Sequence, residues 1–346
     1  MDFSYSYQDV FLKPRYSTYR SRSEASVAAV FGPRTFRIPV VPANMKCVID
    51  TSIAKYMSQN DYFYIMHRFN LDHTHPVNKD NMEFVELANR EQWKTISVSI
   101  GVQDHDKEFV KKCWGMRIDY LTIDIAHADS IRAKEMLEFI NDLYENSGGY
   151  CPELKPFIIA GNVATPEAVI NLENWGANAT KAGIAAGAAC RTFNETGFGV
   201  PMFSCIQACA AVAKKPIIGD GGILECGDIA KALVAGATMV MVGGMFARSI
   251  DSPANTIYKY VHCGEYRLDG TPIIDQKIYK QYYGSASAYN KHNDKHVEGN
   301  LIDLECDGTT YASKLRRIEE HLQSSTSYGG GSLLNVDWGI KNNQKL

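Results

Sequence analysis

The sequence predicts an α/β fold of the (β/α)8 TIM-barrel class, and three observations carry that prediction. Eight short apolar runs recur along the 346 residues, with segments of helical spacing between them. The runs are nearly continuous rather than alternating, which is how strands buried on both faces read. The residues able to do chemistry fall at the C-terminal ends of the runs, where a parallel barrel gathers its functional loops.

In order, "PVVPANM" (39–45) is the first strand and delivers Asn44, and "YFYIMHR" (62–68) is the second and delivers His67 and Arg68. "TISVSIG" (95–101) is the third, and "IDYLTIDIAH" (118–127) is the fourth, with Asp124 and His127 at its end. "PFIIAGNV" (156–163) brings Asn162, "ATKAGIAAG" (179–187) leads to Cys190, "KPIIGDGG" (215–222) carries Asp220, and "TMVMVGGMFA" (238–247) carries Gly243 and Gly244. Helices are expected over 130–144, 165–174, 202–213 and 226–235, with "TPEAV" and "GDIAKAL" as helix starts. Residues 1 to about 35 precede the first strand. Residues 255–310 form a long polar stretch without a clear 3.6 or 2.0 period, containing the turn pair Asp269-Gly270. A long loop on a compact barrel is commonly a lid, so 255–310 is expected to be a flap-like insertion after strand 8 of a single barrel domain spanning 1–346.

Composition narrows the function classes. A formal net charge of -3 offers no basic face to a nucleic acid backbone. The N-terminal stretch lacks the apolar core of a signal peptide, and no window reaches the length of a membrane span. Nine cysteines, odd in number and irregularly spaced, point to free thiols in a reducing cytoplasm. With neither a CxxC pair nor an HExxH, no metal constellation competes.

Two groups of residues point to chemistry. The glycines of "DGG" (220–222) and "VGG" (242–244) would let backbone amides approach a phosphate, and the loops after strands seven and eight are a recurrent phosphate site in barrels. Asp220 could take the two hydroxyls of a ribose. Each glycine run alone could merely turn a strand into a helix, but two on adjacent strands beside an aspartate favour a nucleoside monophosphate. Cys190, in "KAGIAAGAACRTFNETGFG" (181–199), sits in a Gly/Ala turn whose amide dipoles could stabilise a thiolate, with Thr192 within reach. Spacing alone leaves Cys190 balanced between a nucleophile and an inert thiol, and His67 and His127 between site and core residues. Cys113, Cys205, Cys209 and Cys226 read as small buried apolar residues.

The segments "LKPRYSTYRSRSE", "VPANM", "YFYIMHR", "IAGNVATPEAV", "GAACRT", "TGFG", "GDGGI", "GATMVMVGGMFA", "YYGSAS" and "HVEG" occur in the order found in the inosine-monophosphate dehydrogenase and GMP reductase family, which the chain resembles nearly end to end, most closely on the reductase side. The resemblance implies a cytoplasmic homotetramer that reduces GMP with NADPH to IMP, NADP and ammonia. The Cys190 thiolate would attack purine C2 to form a thioimidate, with Thr192 and Glu298 handling the proton on the departing amine. Asp220, Gly221, Gly222, Gly243, Gly244, Gly284 and Ser285 would hold phosphate and ribose, and Lys295, His296, Val297, Glu298 and Gly299 would close on the base. Ser21, Arg22, Arg68, Asp124, Ile125, Ala126, Ser325, Thr326 and Ser327 match cofactor contacts, an arginine at 22 or 68 pairing with the 2′-phosphate. Family relatives can also hold K+ on loop carbonyls, here those of Ala185, Gly187 and Cys190. Three departures stand out: "GIAAG" replaces the usual G-I-G-P-G, so a Cβ at 185 opposes positive φ and counts against the cation, Ala188 sits where relatives often carry a polar residue near the phosphate, and the segment 262–278 is longer than usual. The alternatives are the dehydrogenase reaction, which hydrolyses the same thioimidate, and a purine nucleotide-binding barrel without turnover.

Overall fold

The computed structural model describes residues 4–72, 74–146, 154–266, 272–291, 295–334 and 336–341. Its centre is a parallel sheet in the TIM-barrel arrangement, built from β4 (Val40–Pro42), β5 (Ser97–Ile100), β6 (Tyr120–Asp124), β7 (Phe157–Val163), β8 (Ala179–Ala182), β9 (Ile217–Asp220) and β10 (Met239–Val242). The strands run in the order β4-β10-β9-β8-β7-β6-β5. β4, β5, β8 and β10 are buried at every position, which explains their unbroken apolar composition.

The second expected strand departs from the prediction. Among the described residues "YFYIMHR" joins the sheet only through Met66, whose amide donates to Ser97 O at 3.1 Å and whose carbonyl accepts from Ser99 N at 3.0 Å. The segment is nevertheless buried, from Tyr62 to Met66. β4, which would flank it in a closed barrel, is three residues long and ends in Pro42, which has no N–H to donate to a ladder.

The helices α1 (Thr51–Gln59), α2 (Lys79–Arg90), α3 (Asp104–Cys113), α4 (Ile131–Asn146), α5 (Pro166–Asn174), α6 (Thr192–Thr196), α7 (Met202–Val212), α8 (Cys226–Val234), α9 (Gly244–Ala247), α10 (Ala288–Lys291) and α11 (Tyr311–Tyr328) occupy the connections. Local chemistry starts several of them. Asp50 accepts from Ile53 N at 2.8 Å at the start of α1, and Thr165 accepts from Ala168 N ahead of Pro166 in α5. At the N-terminal end of the barrel the hairpin β2 (Ala29–Phe31) and β3 (Arg34–Phe36) inserts Phe31 and Phe36 against Phe63, Tyr120 and Phe157, with ring centroids 4.9 to 5.9 Å apart. β1 (Val10–Leu12) and β14 (Trp338–Ile340) pair antiparallel, Val10 opposite Ile340.

The stretch expected as a structureless flap contains an antiparallel sheet of β11 (Thr256–Tyr266), β12 (Pro272–Tyr283) and β13 (Leu301–Glu305). Its period escaped notice because β11 stands largely in solvent, with Tyr258 and Tyr260 exposed, so no buried face enforces alternation. The Asp269-Gly270 pair lies outside the described residues.

Candidate active site

A cavity of about 1600 Å3 opens over the C-terminal ends of the barrel strands. Its floor is electrostatic. Lys181, on β8 and only 3% exposed, places Nζ 2.9 Å from Asp124 Oδ1 at the end of β6 and 2.8 Å from Asp220 Oδ2 at the end of β9. Asn162 on β7 donates to the same Asp220 oxygen at 2.8 Å and to Gly183 O at 2.6 Å. Burial alone would raise the Asp124 carboxyl, but the Lys181 ammonium and the Arg68 guanidinium outweigh it and hold the group below the usual carboxylate range. For Lys181 burial pulls the other way, and the two carboxylates overcome it and raise the ammonium above its ordinary value. Sequence reasoning missed Lys181. The signal was present, since a lysine inside an apolar run buried on both faces must find carboxylate partners.

Beside this floor the loop after β8 presents Cys190. Its Sγ donates to Thr192 Oγ1 at 3.2 Å, and that hydroxyl donates to Glu298 Oε2 at 2.7 Å. The thiol, the hydroxyl and the carboxylate expected from the sequence are therefore joined in one chain, although Glu298 lies over a hundred residues away. Backbone bonds fix the carboxylate segment to the cysteine loop: Arg191 N donates to Glu298 O at 2.8 Å, Asn300 N to Ala189 O at 2.8 Å, and Gly299 bridges both Cys190 and Ser287. Lys291, also absent from the sequence reading, lines the cavity and donates to His296 O at 2.6 Å. Lys295, His296 and Val297 lie outside the cavity wall.

Gly221, Gly222, Gly243, Gly244, Gly284 and Ser285 line the cavity together. Gly221 and Gly222 have φ of +112° and +75°, and a Cβ on Gly221 would come within 2.8 Å of the Ala186 Cβ, so the turn requires glycine. Ala188 also faces the cavity, presenting a methyl group where a hydroxyl would donate. Ala185 departs from the expectation that its Cβ would prevent positive φ: it adopts φ +65°, so the loop keeps a left-handed turn at this alanine. Gly187 O accepts from Cys190 N at 2.9 Å.

Arg68, Asp124, Ile125 and Ala126 line the opposite wall. Arg68 Nε donates to Asp124 O at 3.2 Å, and its guanidinium stacks 4.6 Å above the Phe69 ring. The other expected cofactor contacts are elsewhere. Ser21 and Arg22 lie by the C-terminal end of α11, where Arg22 Nη2 donates to Tyr328 OH at 3.0 Å and Ser327 Oγ is 3.1 Å from Ser17 Oγ. Ser325 and Thr326 belong to the same helix end. α11 lines the cavity from Ser313 to His321, and Ser21, Arg22, Ser325, Thr326 and Ser327 are not part of that lining.

His67 is a core histidine, 2% exposed, and burial with the nearby Lys46 charge pulls it down to about 4. His127 is exposed. Cys113, Cys205 and Cys209 are buried and free, Cys226 is half-buried and free, and burial pushes the Cys113 thiol up to about 12. Among the described residues no cluster of His, Cys, Asp and Glu could hold a metal ion, and no helix is long and apolar enough to cross a membrane.

Comparison with known proteins adds an independent line. Residues 4–335 match the model of the IMP dehydrogenase / GMP reductase domain. The chain is 45% identical over 335 residues to a GMP reductase of Albidiferax ferrireducens, covering 95% of this chain and 92% of that protein. It is 42% identical over 347 residues to a GMP reductase of Staphylococcus carnosus, covering 98% and 97%.

Proposed function

The chain belongs to the IMP dehydrogenase / GMP reductase family, and on that premise we propose that it is an NADPH-dependent GMP reductase that converts GMP to IMP with release of ammonia in purine salvage. The observation that carries this reading is the hydrogen-bonded chain Cys190, Thr192, Glu298. A bridge from thiol through hydroxyl to carboxylate gives the sulfur proton a route off, so the thiolate can attack purine C2. The 2-amino group leaves as ammonia, taking a proton returned through Thr192 from Glu298, and a thioimidate remains on Cys190. When bound, NADPH supplies the hydride that reduces C2. Expulsion of the thiolate then frees IMP.

Asp220 would take the ribose hydroxyls, and the amides at Gly221, Gly222, Gly243 and Gly244, with Gly284 and Ser285, the phosphate. The cofactor fits the opposite wall. Arg68 stacks on Phe69 by its plane and spends one edge on Asp124 O, leaving guanidinium edges for a phosphate, and Asp124, Ile125 and Ala126 offer the nicotinamide a surface. Ser21, Arg22, Ser325, Thr326 and Ser327, which are outside the cavity lining, would meet that cofactor from a neighbouring copy in a homotetramer. Within a single barrel domain, 255–310 would act as the flap that shuts water from the thioimidate, with Lys295, His296, Val297 and Gly299 positioning Glu298. A K+ on the carbonyls of Ala185, Gly187 and Cys190 would serve to order the turn beside the thiol.

The test is a spectrophotometric assay at the nicotinamide band. GMP with NADPH is expected to turn over and IMP with NAD is not; the reverse result would make the protein a dehydrogenase. Cys190→Ala is expected to lower turnover at least a thousandfold while GMP binding, measured by calorimetry, changes less than threefold. Persistent reduction in that variant would remove the nucleophile from the scheme.

A further inference from the structure

The cavity does not end at the paired glycines. It continues between α8 and α11 into an annex walled by Cys226, Arg248, Asp307, Lys314, Arg317 and His321. None of these side chains has a part in the reaction above. The annex adjoins the phosphate cradle directly, because Lys314 Nζ bonds the carbonyl of Met245, the residue that follows Gly244.

The annex carries an excess of positive charge. Three permanent cations, Arg248, Lys314 and Arg317, face two carboxylates, Asp307 and Glu225. Lys314 is 6% exposed and is paired with Asp307 Oδ2 at 2.8 Å, and the other Asp307 oxygen accepts from Thr309 Oγ1 at 2.6 Å. The Asp307 carboxylate is therefore already engaged. Arg248 and Arg317 form no ion pair among the described residues. Arg317 turns only its Nε to His321 Nε2, at 3.4 Å, which leaves the forked Nη edge free. Burial lowers the Lys314 ammonium, Asp307 opposes that, and the Arg248 charge adds to it, so the Arg248 charge is felt inside the annex. Two unpaired guanidinium groups beside a buried ammonium match the oxygens of a phosphoryl group, which accept paired N–H donors.

We propose that the annex binds a second phosphoryl group, the β-phosphate of a purine nucleoside 5′-diphosphate whose α-phosphate rests on the glycines of the β9 and β10 loops. The proposal builds on the nucleotide reading of that cradle given above. A diphosphate seated this way competes with the monophosphate for one site and gains contacts the monophosphate cannot make.

Calorimetric titration of the full-length protein with GMP, GDP and inorganic phosphate tests the assignment without relying on turnover. Arg248→Gln combined with Arg317→Gln is expected to weaken GDP binding about tenfold, the worth of one charge-assisted bond, and to leave GMP binding within twofold. The charge-keeping pair Arg248→Lys and Arg317→Lys should recover part of the GDP affinity. Unchanged GDP affinity in the glutamine variant, with GMP binding intact, would overturn the annex assignment while leaving the GMP reading in place. Inorganic phosphate binding to GMP-saturated protein in an arginine-dependent manner, with GDP no tighter than GMP, would assign the annex to free phosphate and overturn the diphosphate. If neither nucleotide binds, the reading of the cradle itself fails, and the annex falls with it.

Discussion

Lys181 holds two carboxylates of the barrel mouth within 3 Å of one ammonium, at 2.9 Å for Asp124 and 2.8 Å for Asp220. Without it, the two acids would repel each other at the barrel mouth, and Asp220 would lose the contact that orients it for the ribose proposed above. Removing one partner from a buried ionic group typically costs about 3–5 kcal/mol. Lys181→Met is therefore expected to destabilise the fold by about that much in urea titration and to raise the GMP KM; a KM left unmoved would show that Asp220 is oriented without the lysine. In the proposed reaction Glu298 would act on protons rather than on the fold. Glu298→Gln keeps an oxygen that can accept from Thr192, but it cannot exchange a proton, so kcat should fall about a hundredfold or more with GMP affinity preserved. Equal losses in kcat and affinity would recast the residue as a binding group.

Among the elements, the turn after β8 stores strain. Ala185 adopts φ +65°, a conformation that costs a non-glycine residue about 1 kcal/mol or more. Ala185→Gly sets relief of that strain against about 0.5–1 kcal/mol of added glycine chain entropy, so chemical denaturation should register a net gain of about 0.5 kcal/mol in unfolding free energy. A loss of stability would mean that the Ala185 methyl contact with the loop at Gly199 outweighs the strain. The same turn shows what a sequence can convey. Strands β5 to β10 were legible because burial on both faces writes a continuous apolar run, and α5 because Thr165-Pro166 is a helix start in chemical terms. The pairing of 62–66 was not legible, since it depends on donors that β4 lacks, nor was the β11–β13 sheet, which stands partly in water. Cys190 and Thr192 were candidates from their turn alone, but Glu298 came only through resemblance, because its meeting with them depends on how residues 298–300 lie along the cysteine loop.

For the molecule as a whole, acid should act in two stages. The folded protein keeps His67 neutral down to about 4, whereas an unfolded histidine takes its proton near 6.5. As pH falls between those values the unfolded chain binds the extra proton, and stability should drop by about 3 kcal/mol. Asp124, held below its ordinary range, contributes fully above about pH 4, and that contribution is lost as pH falls on through its folded value. His67→Gln should flatten the first stage and leave the second; an unaltered slope between pH 6.5 and 4 would acquit the histidine. A last consequence follows from the pairing of β1 with β14, in which Val10 meets Ile340 and Lys341 N bonds Asp9 O at 2.8 Å. β1 cannot find its mate until the residues between Leu12 and Trp338 have been made, so the nascent chain carries an open edge throughout that interval. Once that seam has closed, Val10 and Ile340 are neighbours, and a gene re-cut within an exposed connection, with the segments that flank the seam spliced, should still yield the barrel.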